Sequence, residues 1–92
     1  MTFTSKEQAI YNMCAEAQGA GIWKGFEEIE SELGIDPKVA RGVVSSLQRK
    51  GVVKRDEDDY DIVWAHDRKD RSFVNTREDA ARNLITDDEV AE

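Results

Sequence analysis

The side chains best equipped for chemistry in this chain are the charged ones, and their spacing favours holding an anion over breaking a bond. One histidine, His66, and one cysteine, Cys14, leave little from which to build a nucleophile with its base. None of the many carboxylates stands in a recognisable acid–base arrangement with them, and the six glycines are spread over turns and helix ends rather than gathered in a phosphate loop. The sequence therefore predicts no enzyme, no first-row metal site and no cofactor. The cations are organised differently. Lys38, Arg41, Arg49, Lys50, Lys54 and Arg55 give residues 37–55 a charge of +6 inside a chain whose net charge is −7. Guanidinium and ammonium groups donate charge-assisted hydrogen bonds to carboxylate or phosphate oxygens, so the chemistry on offer is anion binding.

The element that must position these cations is a helix. Asp36 supplies an N-cap oxygen, Pro37 suits the first helical position, and Gly51 stands where a left-handed C-terminal residue is needed, so the spacing predicts a helix over 37–50. Ala40, Val43, Val44 and Leu47 share one stripe of it. Lys38, Gly42, Ser45 and Arg49 lie opposite, with Arg41 and Ser46 on the flanks, giving a basic face of small residues that a phosphate-lined groove can approach closely. Just upstream, Phe26, Ile29 and Leu33 repeat at helical spacing and end in Gly34-Ile35, predicting a short helix that turns tightly into the longer one. Downstream, the runs Val52 to Arg55 and Tyr60 to Trp64 flank Asp56, Glu57, Asp58 and Asp59, as expected for two strands joined by a four-residue loop.

Helix, turn, helix and hairpin in this order resemble the winged helix-turn-helix family of DNA-binding domains. The likeness is to small bacterial, archaeal and phage regulators with an L-G-I-x-P…L-x-x-x-G-V-V-x-R pattern, here Leu33-Gly34-Ile35-Asp36-Pro37, then Leu47, Gly51, Val52, Val53 and Arg55. It covers roughly the first seventy residues, and it bears on fold more specifically than on function, since one fold hosts several activities. The resemblance implies an α+β winged helix: a three-helix bundle with a helix-turn-helix, a small antiparallel β-hairpin wing, and here a short C-terminal helix. It further implies a transcriptional regulator that places helix 37–50 in the major groove of double-stranded DNA. Lys38, Arg41, Gly42, Ser45, Ser46 and Arg49 would then face DNA, with Lys54 and Arg55 on phosphate and Val39 either near a thymine methyl or turned inward. The family often carries Arg or Lys at the wing tip. This chain departs from that with four consecutive acids.

Ninety-two residues suit one small domain, and no window is apolar for long enough to span a bilayer. The N-terminal MTFTSKEQ has no basic region followed by an apolar core, so an intracellular, cytoplasmic protein is expected. Acids dominate on both sides of the basic block: residues 26–36 sum to −5, as do 56–61. Acids in the first turn of a helix suit its dipole, yet they also motivate a second reading, an accessory protein-interaction module that faces a basic partner and binds no DNA.

The remaining chain is read as support. Thr4 with Glu7, or Ser5 with Gln8, can cap a first helix with Ile10, Met13, Cys14 and Ala17 on its apolar face, broken at Gln18 to Gly21. Cys14 reads as a small buried hydrophobe. Ile22 and Trp23 read as a brief strand beside the hairpin, with Trp23 in core or sheet. Alternation places Tyr60, Ile62 and Trp64 on one side of the wing and Asp61 and Val63 on the other. The domain is predicted to occupy residues 1–65, with 66–92 as an extension: a charged loop, the anchor Phe73-Val74, and a helix capped by Thr76 with Ala80, Ala81, Leu84 and Ile85 on one stripe. The resemblance implies that this helix pairs with the first helix of a second subunit in a homodimer; the alternative is that it packs on its own domain. Thr86 to Glu92 read as a mobile acidic tail.

Overall fold

The first helix begins where its capping residues reciprocate. Thr4 Oγ1 accepts the Glu7 N–H at 3.1 Å, and Glu7 Oε1 accepts the Thr4 N–H at 2.8 Å. In the computed structural model, which describes residues 2–58 and 60–91, the chain forms α1 (Ser5–Gly19), α2 (Phe26–Leu33), α3 (Pro37–Arg49), β1 (Val53–Asp56), β2 (Ile62–Ala65) and α4 (Arg77–Asn83). A 3-10 turn, Asp87–Glu89, follows. The fold is α+β: four α-helices and a two-stranded antiparallel hairpin among the described residues. No helix among the described residues is long and apolar enough to cross a membrane.

The signals around α3 act as the sequence predicts. Gly34 ends α2 at φ 63° and Gly51 follows α3 at φ 77°, both in the left-handed region that a Cβ disfavours. Asp36 accepts the Lys38 N–H at 2.9 Å, which satisfies one orphan donor of the first turn. Ala40, Val44 and Leu47 are buried where α3 packs against α1 and α2, and Val43 packs partly against the same core. Each such side chain removed from water contributes roughly 1.5–3 kcal/mol, so the stripe fixes which side of α3 is left to solvent.

The hairpin pairs Val53 with Ala65, Lys54 with Trp64, Arg55 with Val63 and Asp56 with Ile62. Val63 and Ala65 face the core, which turns Ile62 and Trp64 outward. Both strands sit slightly later than the sequence suggests. Val52 is buried ahead of β1, and Tyr60 belongs to the turn, where it and Asp61 adopt φ 56° and 54°. Two successive left-handed residues match the twist of a tight hairpin. Asp59 of the predicted loop tetrad lies outside the described residues. Ile22 and Trp23 form no strand. The contact expected of them is made one residue on, by a bridge between Gly25 and Ile62 and by the Val63 N–H donating to Lys24 O at 2.9 Å. Trp23 is 57% exposed instead of lying in the core.

The inward face of α1 differs from its predicted apolar stripe. Glu7, Ile10, Tyr11, Cys14, Ala15 and Gln18 are buried, while Met13 and Ala17 are only partly so, and the helix runs through Gln18 rather than breaking there. The buried amide has a reason. Gln18 Oε1 accepts the Ala65 N–H at 2.6 Å, and its Nε2 donates to the carbonyls of Ala65 at 3.0 Å and Val74 at 2.8 Å. Asn12 treats Ile85 likewise, accepting its N–H at 2.7 Å and donating to its carbonyl at 2.9 Å. Each amide thus takes the place of a neighbouring strand for one extended residue, satisfying that residue's backbone N–H and C=O away from water. Tyr11 adds an O–H donated to His66 O at 2.6 Å.

Through these bonds the segment after the hairpin packs onto the core of the preceding residues. Val74, Ala80 and Ile85 are buried in one cluster with α1, α2, α3 and the hairpin. α4 packs on the α1 of its own chain. It stops at Asn83, so Leu84 and Ile85 are anchored from extended backbone. The tail is ordered as far as Ala91, with Glu92 outside the described residues. The Phe3 N–H donates to Glu89 O at 2.9 Å and the Ala91 N–H to Phe3 O at 2.8 Å, while Arg68 pairs with Glu89 at 2.6 Å.

Two outcomes follow from this packing. Gln18→Ala strands buried donors and acceptors at Ala65 and Val74, each costing about 1–3 kcal/mol, so urea denaturation should show a loss of at least about 2 kcal/mol. The Arg68 hydrogen bonds hold the Glu89 carboxyl at about 2. Asn83 and the backbone N–H groups of Asp70 and Lys69 hold Asp67 there too. Their stabilisation is complete above the unfolded carboxylate range and is lost as pH falls through the folded values. The melting temperature should therefore drop between about pH 5 and pH 2, and Glu89→Gln should flatten that drop.

Candidate functional site

The exposed side of α3 carries a row of cations with no counter-ion among the described residues. Lys38, Arg41, Gly42 and Arg49 are exposed and Ser45 is half-buried, and they share the side of the helix opposite Ala40, Val44 and Leu47. A Cβ placed on Gly42 would meet nothing within 4 Å, so the middle of this face is flat and open. Lys54 is exposed on β1. Among the described residues, Lys38, Arg41, Arg49 and Lys54 join no ion pair.

Two residues expected in this set are held elsewhere. Ser46 donates its hydroxyl to Glu7 Oε2 at 2.8 Å, which turns it toward α1. Arg55 lies on the inward side of β1, where its guanidinium sits 4.8 Å from the Phe26 ring centre and pairs with Asp61 at 3.0 Å and Glu57 at 3.5 Å. Carboxylates of the hairpin turn therefore neutralise it. Lys50, at the end of the predicted helix, is also taken, donating to Glu7 Oε1 at 2.7 Å and to Thr2 O at 2.8 Å above the Phe3 ring.

Glu7 organises this end of α3 and was legible in the sequence only as a capping residue. Its side chain is 2% exposed. Burial alone would raise its pKa, but hydrogen bonds from Lys50, Thr4 and Ser46 outweigh that and hold it below the ordinary value. Because Ser46 and Lys50 are one helical turn apart and both bond the same carboxylate, the rotation of α3 about its axis is fixed. Arg71 secures the C-terminus: its guanidinium donates to Gly51 O at 2.9 Å and Lys50 O at 3.3 Å, from a residue in the left-handed region at φ 67°. A cation there also complements the negative end of the helix dipole. No sequence signal marked Arg71 or Glu7 for these roles, because both partners are distant along the chain.

On the other flank, Arg41 lies 6.0 Å from the Phe26 ring centre, a contact that restrains its stem while leaving its donors in solvent. The acids of α2 face away from this surface in part: Glu32 is paired to Lys24 at 2.7 Å, and Glu28 accepts the Gly25 N–H at 3.1 Å. His66 is half-buried against Phe73, and burial together with Lys54 and Arg71 lowers its pKa. Burial pushes the Cys14 thiol up to about 12, leaving it inert inside the core. Among the described residues no group of His, Cys, Asp and Glu is placed to hold a metal ion.

Comparison with known proteins returns no matching family profile, curated protein or solved structure.

Removing the counter-ion of Glu7 tests its organising role. Lys50→Met leaves a carboxylate in the interior with only Ser46 and Thr4, and should cost about 2–4 kcal/mol, below the range for a fully buried pair because Lys50 is partly exposed. The double variant Glu7→Gln with Lys50→Met should recover part of that loss in the same urea titration.

Proposed function

We propose that this chain is a winged helix that binds double-stranded DNA, with α3 entering the major groove and the hairpin as its wing, in the manner of a transcriptional regulator. One observation carries the reading: Lys38, Arg41 and Arg49 line one open side of a rigidly held helix, and none of them pairs with a carboxylate among the described residues. A stripe of this kind meets the width of a major groove, and Gly42 and Ser45 between the cations allow close approach. Lys54 extends the charge onto the hairpin, where it would hold phosphate. Arg55 and Ser46 take no part, since each is already engaged. The net charge of −7 is compatible with this interface because the field near a polyanion is set by the groups that face it, screened over about 8 Å at physiological salt.

The wing tip has a separate character. Tyr60 is 92% exposed between Asp58 and Asp61, which suits a basic protein partner better than DNA. A second reading, an acidic interaction module on the same fold, rests on that observation.

Titrating labelled duplex DNA at two salt concentrations separates the readings. Binding that weakens steeply with salt is expected, with a slope near −0.9 for each phosphate neutralised. Arg41→Ala and Arg49→Ala should weaken it most at particular base positions, by about 1–3 kcal/mol each. Lys54→Ala should weaken all sequences alike and reduce the salt slope by about 1. Arg55→Ala should leave affinity unchanged. Absence of duplex binding even at low salt removes this reading and favours the acidic module.

A further inference from the structure

The outward face of the hairpin carries a chain of aromatic rings that the proposed duplex contact does not use. Trp23 packs edge-to-face on Trp64 at 5.9 Å, Trp64 on Phe73 at 5.7 Å, and Phe73 on His66 at 5.1 Å. Trp23 is 57% exposed and Phe73 46%, and Ile22 beside them is 54% exposed. With Gly21, Val74 and Asn75 the rings line an open groove of about 370 Å³. The core does not need these rings in the open. Large aromatic groups left half in water at one place mark a surface with a partner.

The charges around this groove indicate what that partner is. Lys54 stands directly across the hairpin from Trp64, so their side chains share the outward face. Lys54 and Arg71 are the two charged groups whose field reaches His66 at the end of the ring chain, and neither joins a carboxylate among the described residues. Asp70, in the same loop, is turned onto Ser72, accepting both its N–H and its hydroxyl. A second copy of the chain meeting this face with its own would bring Lys54 and Arg71 against their equivalents, which opposes a symmetric dimer. A polyanion that offers flat rings satisfies both features. Bases in a duplex show only their edges, whereas an unpaired base shows its π-face and can stack on a half-exposed Trp or Phe while its phosphates meet Lys or Arg.

We propose that the groove between Trp23, Trp64 and Phe73 binds single-stranded nucleic acid, stacking unpaired bases on the exposed rings, with Lys54 on a flanking phosphate and Arg71, held on the end of α3, adding to the positive field. Asn75 supplies an amide at the rim for a base edge. The site shares Lys54 with the proposed duplex interface but none of the α3 stripe, and it holds whether or not that stripe binds duplex DNA.

Trp23 and Trp64 are the only tryptophans of the chain, so fluorescence excited beyond the absorption of Tyr11 and Tyr60 reports this groove. Titration of the whole protein with a short oligothymidylate should quench that fluorescence, with an affinity that falls severalfold when salt is raised from about 50 to 200 mM. Phe73→Ala should weaken binding about tenfold or more while both reporters remain. Should that variant melt early, Trp23→Ala serves instead, read through Trp64 and through the anisotropy of labelled oligothymidylate. Arg41→Ala should leave the quenching as it is, which separates this site from the duplex reading. Three results overturn the proposal. They are no quenching at low salt, equal affinity in a Phe73→Ala protein of unchanged melting temperature, and equal quenching by free thymidine monophosphate at the same nucleotide concentration. Self-association that Phe73→Ala abolishes and oligothymidylate leaves untouched overturns it too, assigning the rings to a second copy.

Discussion

The structure depends on a helix whose buried side is half polar. In α1 the inward positions include Glu7, Tyr11 and Gln18, and Asn12 stands at their edge. An apolar helix could have packed against the rest in several rotations at similar free energy, since burial of area is not directional. Hydrogen bonds are directional, and an orphaned polar group inside a protein costs more than a satisfied one contributes. Gln18 on Ala65 and Val74, Asn12 on Ile85, Tyr11 on His66 and Glu7 on Ser46 and Lys50 therefore select one arrangement of the hairpin, the C-terminal segment and α3 about α1.

The same bonds sort the cations into two groups. Lys50 and Arg68 lie on either flank of the N-terminal segment, 4.8 and 5.7 Å from the Phe3 ring centre, each with a carboxylate partner, Glu7 or Glu89. Arg55 is spent on Asp61 and Glu57. These three hold the fold together. Lys38, Arg41, Arg49 and Lys54 do not, and an unpaired cation kept on a rigid surface adds little to stability. The acids of the hairpin turn, which seem at first to oppose any anion, are in part the counter-ions of a structural arginine.

How much of this was legible in the sequence follows from how local each signal is. Thr4 with Glu7, Asp36-Pro37, Gly34 and Gly51 act within a few residues, and they placed α1, α2 and α3 almost to the residue. The stripe of α3 was legible because its buried residues are all apolar. That of α1 was misread because periodicity arguments score Glu, Gln and Tyr as outward, and only their distant partners, 39 to 56 residues away, make them inward. The tail looked mobile for the same reason: its acids stand alone in sequence, yet Glu89 finds Arg68 and its backbone pairs with Phe3. Ser46 and Arg55 were placed on the right elements, but their engagement with Glu7 and Asp61 lies beyond what helical or strand phase can reveal.

Trp23 completes the argument from the opposite direction. A tryptophan beside a strand is normally placed in the interior, because burying its ring is worth more than burying any other side chain. Here the interior behind β2 is already filled by Val63, Ala65 and the Gln18 amide, and the amide must stay where it is to satisfy Ala65. Trp23 is displaced to the outer face, where Trp64 has been turned by the strand's own alternation, and Phe73 follows through its bridge to His66. The exposed rings are thus a counterpart of a polar staple in the core, and a surface held by that constraint needs no rearrangement of the fold to stay open.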